Sequence, residues 1–432
     1  MNRQIAPKIS SLPVVTMPEM RCVELSSGMR LLFYNKCDKS VARISVITEG
    51  GIAESSSPAV AILAANMQRE GIENMSGAEI ADLLDYNGAW VKSGASSHHI
   101  QHTIYTLRHR LSEVLPIFAG IVFHPTFPAA ELEVRRESLA RNIEISQSDV
   151  SYRGRCRSEK MIMGEWHPLA SEDTADTVRA ITAEDLRQFH RKYTSAKGTT
   201  IIVCADTTEA ENNAIIEVFS RAASDVEASS ICVTGFMPVV AGQTDIITLD
   251  SATQSSVNIT LPAIPRSHPD FLPLHLTLFA LGGYFGSRLM LNIREDKGLT
   301  YGISSSLLGY IDGSYVDISA ETDNVHVAQL IDEVRYELKN LAENPCSGDE
   351  LIRIKQCANT AHASSLDSPL SIADYYATSI QSGLPGGYFN NKQQAIAALS
   401  PETIAEMAQR YLRPEFMRIA IAGSPILQNQ SK

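Results

Sequence analysis

No stretch of the 432-residue chain stays apolar long enough to span a bilayer, and its first residues, Met1-Asn2-Arg3-Gln4-Ile5-Ala6-Pro7-Lys8, lack the apolar core of a signal peptide. These absences point to a cytoplasmic chain, or to a periplasmic one if a signal peptide has been removed. Basic excess is lacking as well: 37 Lys and Arg stand against 49 Asp and Glu, a net charge of -12. This balance argues against a nucleic-acid partner, since such proteins carry a clustered basic face. The acidic balance suits solubility, and an acidic cavity would favour basic ligands. Cys-x-x-Cys is missing too. The seven cysteines, Cys22, Cys37, Cys156, Cys204, Cys232, Cys346 and Cys357, are scattered, which suits reduced thiols better than a disulfide framework.

What the chain does have is core-forming material and an internal repeat. At 44% hydrophobic and 20% charged residues it reads as a folded sequence, long enough for roughly two to four domains. Ile181-Thr182-Ala183-Glu184-Asp185-Leu186 opens a helix that runs to Arg191-Lys192-Tyr193 and feeds the apolar strand 200–205. Near the end, Leu399-Ser400-Pro401-Glu402-Thr403-Ile404 opens a helix to Gln409-Arg410-Tyr411 and feeds the strand 417–423. Each copy begins with a Thr or Ser cap and an acidic first turn. Two such copies imply two homologous domains, 1–225 and 244–432, joined by a linker at 226–243 where Ser, Ala and Gly accumulate.

Strands are expected at 21–25, 29–34 and 42–48, around the turn Ser26-Ser27-Gly28-Met29, and again near 89–92 and 100–107. In the second half they fall at 246–249, 256–261, 299–307 and 314–321. Helices are expected at 77–86, 271–281, 325–342 and 347–363, and after Ser57, where Ser57 can cap, Pro58 suits the first turn and Gly71 can end the helix. Strands first and helices afterwards, in each half, argue for an α+β fold: a mostly antiparallel sheet covered on one face by helices. Tyr310 and Tyr315, at the 314–321 strand, are either core residues or part of a surface that presents a peptide.

The most informative stretch is 284–301. Within it Ser287-Arg288-Leu289, then Arg294-Glu295, then Lys297-Gly298-Leu299-Thr300-Tyr301 place an Arg and a Tyr where a helix gives way to a strand. A guanidinium offers a rigid fork of donors to a peptide carbonyl, and a phenol can donate to the oxyanion that develops there. This pattern resembles the second-half signature of the pitrilysin and insulinase clan of zinc peptidases, the M16 family, in its two-domain M16B form. The resemblance implies two α/β rolls of the LuxS/MPP-like metallohydrolase fold, with Arg294 and Tyr301 gripping substrate opposite a metal.

The same family carries an inverted motif, His-x-x-Glu-His, on its first long helix. Aligning Met67 with the Met that follows that motif puts Ile62 and Asn66 at the two histidines and Ala65 at the general base. Ile62 and Asn66 share a helix face one turn apart, so the geometry for paired ligands survives while the chemistry does not. The third ligand of the family is a Glu on a later helix. Without a gap Asn142 takes that place and Arg135 that of its supporting Glu; a shifted reading brings Glu137 or Glu144 near, yet restores no histidine. A catalytic zinc needs three protein ligands and an open position. Elsewhere His98, His99 and His102 cluster on a strand, where only His98 and His102 share a face and no Glu accompanies them in the segment. Hydrogen-bonded or solvated strand histidines are the better reading there.

The resemblance therefore implies a metal-free subunit that binds no cofactor itself and lends Arg294 and Tyr301 to the zinc of a homologous chain bearing His-x-x-Glu-His. The pair would act as a peptide-cleaving zinc metalloendopeptidase heterodimer, and this chain alone would be inactive, even as a homodimer, which would have no zinc in this motif. The alternative is a non-enzymatic scaffold or assembly protein of the same fold, which has no chemical reason to keep Arg294 and Tyr301 together.

Overall fold

A computed structural model describes residues 14–37, 40–223, 231, 233–236 and 242–426. Among the described residues, eleven strands form two main sheets and two more a small hairpin. The strands of the first part are β1 (Arg21–Glu24), β2 (Arg30–Tyr34), β3 (Val41–Glu49), the hairpin pair β4 (Gly71–Ile72) and β5 (Met75–Ser76), β6 (Trp90–Ala95), β7 (His99–Leu107) and β8 (Thr200–Cys204). Those of the second are β9 (Gln243–Thr248), β10 (Gln254–Pro262), β11 (Ile303–Gly309), β12 (Ser314–Asp323) and β13 (Arg418–Gly423). The first sheet runs β1-β2-β8-β3-β7-β6 and the second β11-β12-β10-β13-β9. In each, one pair is parallel, β2 with β8 and β9 with β13, and the other neighbours are antiparallel. The α+β expectation holds. The linker expected at 226–243 lies outside the described residues apart from 231, 233–236 and 242–243.

The two repeat helices form at Ala183–Tyr193 and Pro401–Tyr411, each capped by the residue anticipated: the Thr182 hydroxyl accepts from the Asp185 amide, and that of Ser400 from the Thr403 amide. Both lead into strands buried along their whole length, β8 and β13. Their continuous Val, Ile and Ala runs suit strands covered on both faces. One face of the first sheet packs on the Leu111–Phe123 and Glu209–Ala222 helices, and one face of the second on the Phe271–Gly282, Val327–Glu343 and Pro401–Tyr411 helices.

The other faces are not left open, which goes beyond the one-face covering expected. Helix Val150–Met163 of the first part lies across β10 and β13, so close that a Cβ on Gly154 would sit 2.4 Å from Asn258 Nδ2. In return, helix Pro369–Gln381 sets Ile372, Ala373 and Ala377 against Tyr34, Ile47, Ile202 and Cys204 of the first sheet. Beside them the buried Arg43 guanidinium donates to the Leu370 carbonyl at 2.8 Å and to Asp374 at 2.6 Å. Each sheet thus receives one helix from the other, and this exchange ties the two parts together.

Two local expectations are corrected, and one alternative is decided. Ser57 makes no side-chain cap; the Ala59 amide is met instead by Asp173 Oδ2 at 2.7 Å, from a loop far along the chain. The strand expected from 299 begins at Ile303, because side chains take carbonyls that a longer ladder would use on the two strands: Thr322 Oγ1 donates to the Leu299 carbonyl at 2.6 Å and Thr300 Oγ1 to the Glu321 carbonyl at 2.6 Å. Tyr315 is 2% exposed and stacks on Tyr310, centroids 6.1 Å apart, so the core reading holds for it.

Candidate functional site

Arg294 and Tyr301 are placed by a short, heavily anchored segment. Met290–Asp296 winds as a π-helical turn, a form frequent at functional positions. Leu289, Ile293 and Leu299 are buried around it, and Arg288 bonds Glu350 at 2.8 Å. The chain reverses at Gly298, whose φ of +61° lies in the left-handed region that glycine adopts freely, and the Leu299 amide closes the turn on the Ile293 carbonyl at 2.9 Å. The result brings the two side chains to one open cleft of about 480 Å³, shared with Gln254, Glu295, Glu321 and Asp323. Tyr301, 92% exposed, also rims an adjoining cleft of about 560 Å³, walled by Tyr152 and Arg155 of the exchanged helix and by β10 and β12.

The two side chains are differently held. The Arg294 guanidinium pairs with Glu295 and lies 4.6 Å above the Phe285 ring, a cation–π contact that aims it while leaving it half-exposed. The Tyr301 hydroxyl has no hydrogen bond among the described residues and stands free to donate. Acidic groups surround them: Glu295, Glu321 and Asp323 line the cleft. Chemically the arrangement can hold a peptide carbonyl by the guanidinium fork and stabilise negative charge through a phenol, beside a surface suited to a basic substrate.

The positions aligned with the family's zinc ligands lie on the Pro58–Met67 and Ala129–Ser146 helices, which pack together through a shared apolar cluster. None of their residues lines either cleft at Arg294 and Tyr301. Ile62 is half-buried and has no donor atom; Ala65 is buried completely. Asn66 Nδ2 donates to the Ile62 carbonyl at 2.9 Å, one turn back on its own helix, and Asn142 is exposed. Arg135 pairs with Glu70 at 2.6 Å. The nearby carboxylates are also engaged: Glu137 bonds Arg179 and Arg141, which lower its pKa to about 2, and Glu144 bonds Arg179. These residues do not fit a zinc ion, and no group of three or more His, Cys, Asp or Glu placed to hold a metal occurs among the described residues.

The histidine cluster holds a feature that sequence reasoning missed. His98 is buried between two carboxylates, Nδ1 at 2.7 Å from Glu54 and Nε2 at 3.1 Å from Asp312. Burial pulls its pKa down, but hydrogen bonds to Asp312 and Glu54 and their charges outweigh it and raise the pKa to about 9. Glu54 lies 44 residues upstream and Asp312 lies 214 downstream, so no local pattern could pair them. His102 faces Ser93 at 2.8 Å, and burial lowers its pKa to about 3; His99 falls to about 4 for the same reason. His98 thus clasps the first sheet's segment to the turn between β11 and β12.

Comparison with known proteins bears on this geometry. The family model described as the peptidase M16 inactive domain matches residues 180–356. Over that segment the chain is similar to M16 peptidases. It is 22% identical over 303 residues to the uncharacterized zinc protease YmxG of Bacillus subtilis, covering 69% of this chain and 72% of the relative. It is 21% identical over 287 residues to the non-peptidase homolog YmxG of Helicobacter pylori, covering 65% of each. The fold is that of a crystal structure of a peptidase M16 inactive domain from Pseudomonas fluorescens, with a TM-score of 0.85 at 23% identity over 95% of this chain and 99% of the other. No helix among the described residues is long and apolar enough to cross a membrane.

Proposed function

We propose that this chain is the metal-free subunit of a two-chain zinc peptidase, contributing Arg294 and Tyr301 to a site whose metal is held by a homologous chain bearing His-x-x-Glu-His. The observation that carries the reading is the convergence of these two side chains on one open cleft, with the phenol unencumbered. A residue kept for packing would be buried, whereas Tyr301 contributes almost nothing to the core. Within this chain the Arg294 fork would hold the peptide carbonyl and the Tyr301 hydroxyl would donate to the oxygen that gains charge. β11 is an edge strand that starts just after Tyr301 and exposes Ser304 and Ser306, so an extended peptide can add to it as a further strand.

The proposal includes two homologous domains, 1–225 and 244–432. The single parallel pair within each sheet and the capped helices before β8 and β13 support it. Ile62, Ala65, Asn66 and Asn142 then mark an inert counterpart of the partner's metal site. It also includes a cytoplasmic setting, which the scattered free cysteines favour. The experiment is a titration of the homologous chain with this one, in zinc and a quenched peptide. Activity should rise and level off at equimolar mixing. Flat activity, or absence of a complex by sedimentation, would leave the non-enzymatic scaffold reading in its place.

A further inference from the structure

Among the helices behind the second sheet lies a cavity whose walls are largely apolar and whose ionisable groups are all basic or phenolic. It measures about 250 Å³; Leu276 and Phe279 form part of the wall, and Lys392, His275, His362 and Tyr375 supply the polar lining. No carboxylate lines it, in a chain with a net charge of -12. It shares no residue with the clefts at Arg294 and Tyr301.

Two of its groups lack partners. Lys392 has no hydrogen bond or ion pair among the described residues, and burial lowers its pKa from the ordinary lysine value. The Tyr375 hydroxyl is buried with the Ser379 side chain close by but in no well-aligned hydrogen bond, its ring held edge-on by Phe389 at 5.2 Å. The surroundings are rigid. His362 Nε2 donates to the Phe389 carbonyl at 3.0 Å, and its ring stacks on Phe389 at 3.8 Å. Burial, with the Lys392 charge adding to it, holds His362 down to about 4 and His275 to about 3, so both stay neutral near pH 7 and leave the ammonium as the cavity's charge.

A half-buried ammonium without a protein partner and a buried hydroxyl are each unfavourable, and a carboxylate satisfies both at once because it accepts from each. The apolar wall disfavours a fully hydrated ion such as phosphate and suits a hydrocarbon body. At roughly 30 Å³ per heavy atom the cavity holds about eight such atoms. We propose that this cavity binds a small apolar monocarboxylate, its head held by Lys392 and the Tyr375 hydroxyl and its body packed against Leu276 and Phe279.

Calorimetric titration of the full chain near pH 7 tests this, with hexanoate as the probe and hexanol and inorganic phosphate as controls. One equivalent of hexanoate should bind, at least about tenfold more tightly than hexanol or phosphate. Lys392→Met should weaken it by more than about tenfold, and raising the pH should weaken it as the ammonium loses its proton. Tyr375→Phe should weaken it by about fivefold while leaving the unfolding midpoint of the free protein unchanged or higher, since it deletes an unpartnered hydroxyl. This variant keeps the test alive if Lys392→Met fails to fold. Absence of saturable hexanoate binding, equal or tighter binding of hexanol or phosphate, or hexanoate affinity unchanged by the substitutions would overturn the proposal.

Discussion

The corner that carries Arg294 and Tyr301 and the corner that carries Ile62 and Asn66 have opposite relations between backbone and chemistry. At Ile62 and Asn66 the helix, its packing against a second helix and the one-turn spacing are all present, but the side chains have closed in: Ala65 is buried completely and Asn66 bonds back to its own helix. At Arg294 and Tyr301 the backbone departs from regular helix and strand, yet both side chains reach solvent in one cleft. On the proposed reading, the first corner keeps a frame without its chemistry, and the second displays its working groups on irregular backbone.

Substitutions can break or sharpen that contrast. The largest effects on stability should come from charge in the closed regions. Ala65→Glu would bury a carboxylate with no partner and should cost several kcal/mol by urea unfolding. If the variant is as stable as the parent, that corner is not closed. His98→Gln strands Glu54 and Asp312 and should cost about 3–5 kcal/mol. Because its folded pKa is raised above the unfolded value, the stability contributed by His98 is complete below about pH 6.5 and is lost as pH rises through about 9. The slope of unfolding free energy across that window should flatten in His98→Gln. His99 and His102 have the opposite sign: held at about 4 and about 3, they stabilise above the unfolded value and that contribution is lost as pH falls through those values.

Smaller effects separate real from nominal supports. Asp173→Ala should cost about 1 kcal/mol through the helix that carries Ile62 and Asn66, whereas Ser57→Ala should cost almost nothing. The smallest effect belongs to the open corner. Tyr301→Phe should stay within about 0.5 kcal/mol of the parent in thermal unfolding, since the side chain is exposed; a larger loss would mean that Tyr301 is structural after all.

Much of this was legible in sequence because it is local. Arg294 and Tyr301 lie in one unbroken motif, and the capped helices before β8 and β13 announce themselves through Thr182 and Ser400. What was not legible depends on distant partners. The clasp of His98 needs Glu54 and Asp312, the helix cap comes from Asp173, and the exchanged helices Val150–Met163 and Pro369–Gln381 are ordinary amphipathic stretches until each lies on the other sheet. The unpartnered Lys392 and Tyr375 gave no signal either, since a lone lysine and a lone tyrosine are read first as surface and core.

The central claim is that Arg294 and Tyr301 serve a metal held by another chain. The most direct measurement is peptide cleavage by an equimolar mixture with the homologous His-x-x-Glu-His chain and zinc, using this chain either as the parent or as Arg294→Ala or Tyr301→Phe. The mixture with parent chain should cleave, and each variant should lose roughly a hundredfold to a thousandfold in turnover while still forming the complex. Mixed activity unchanged by both substitutions, or chelator-sensitive cleavage by this chain alone, would contradict the account.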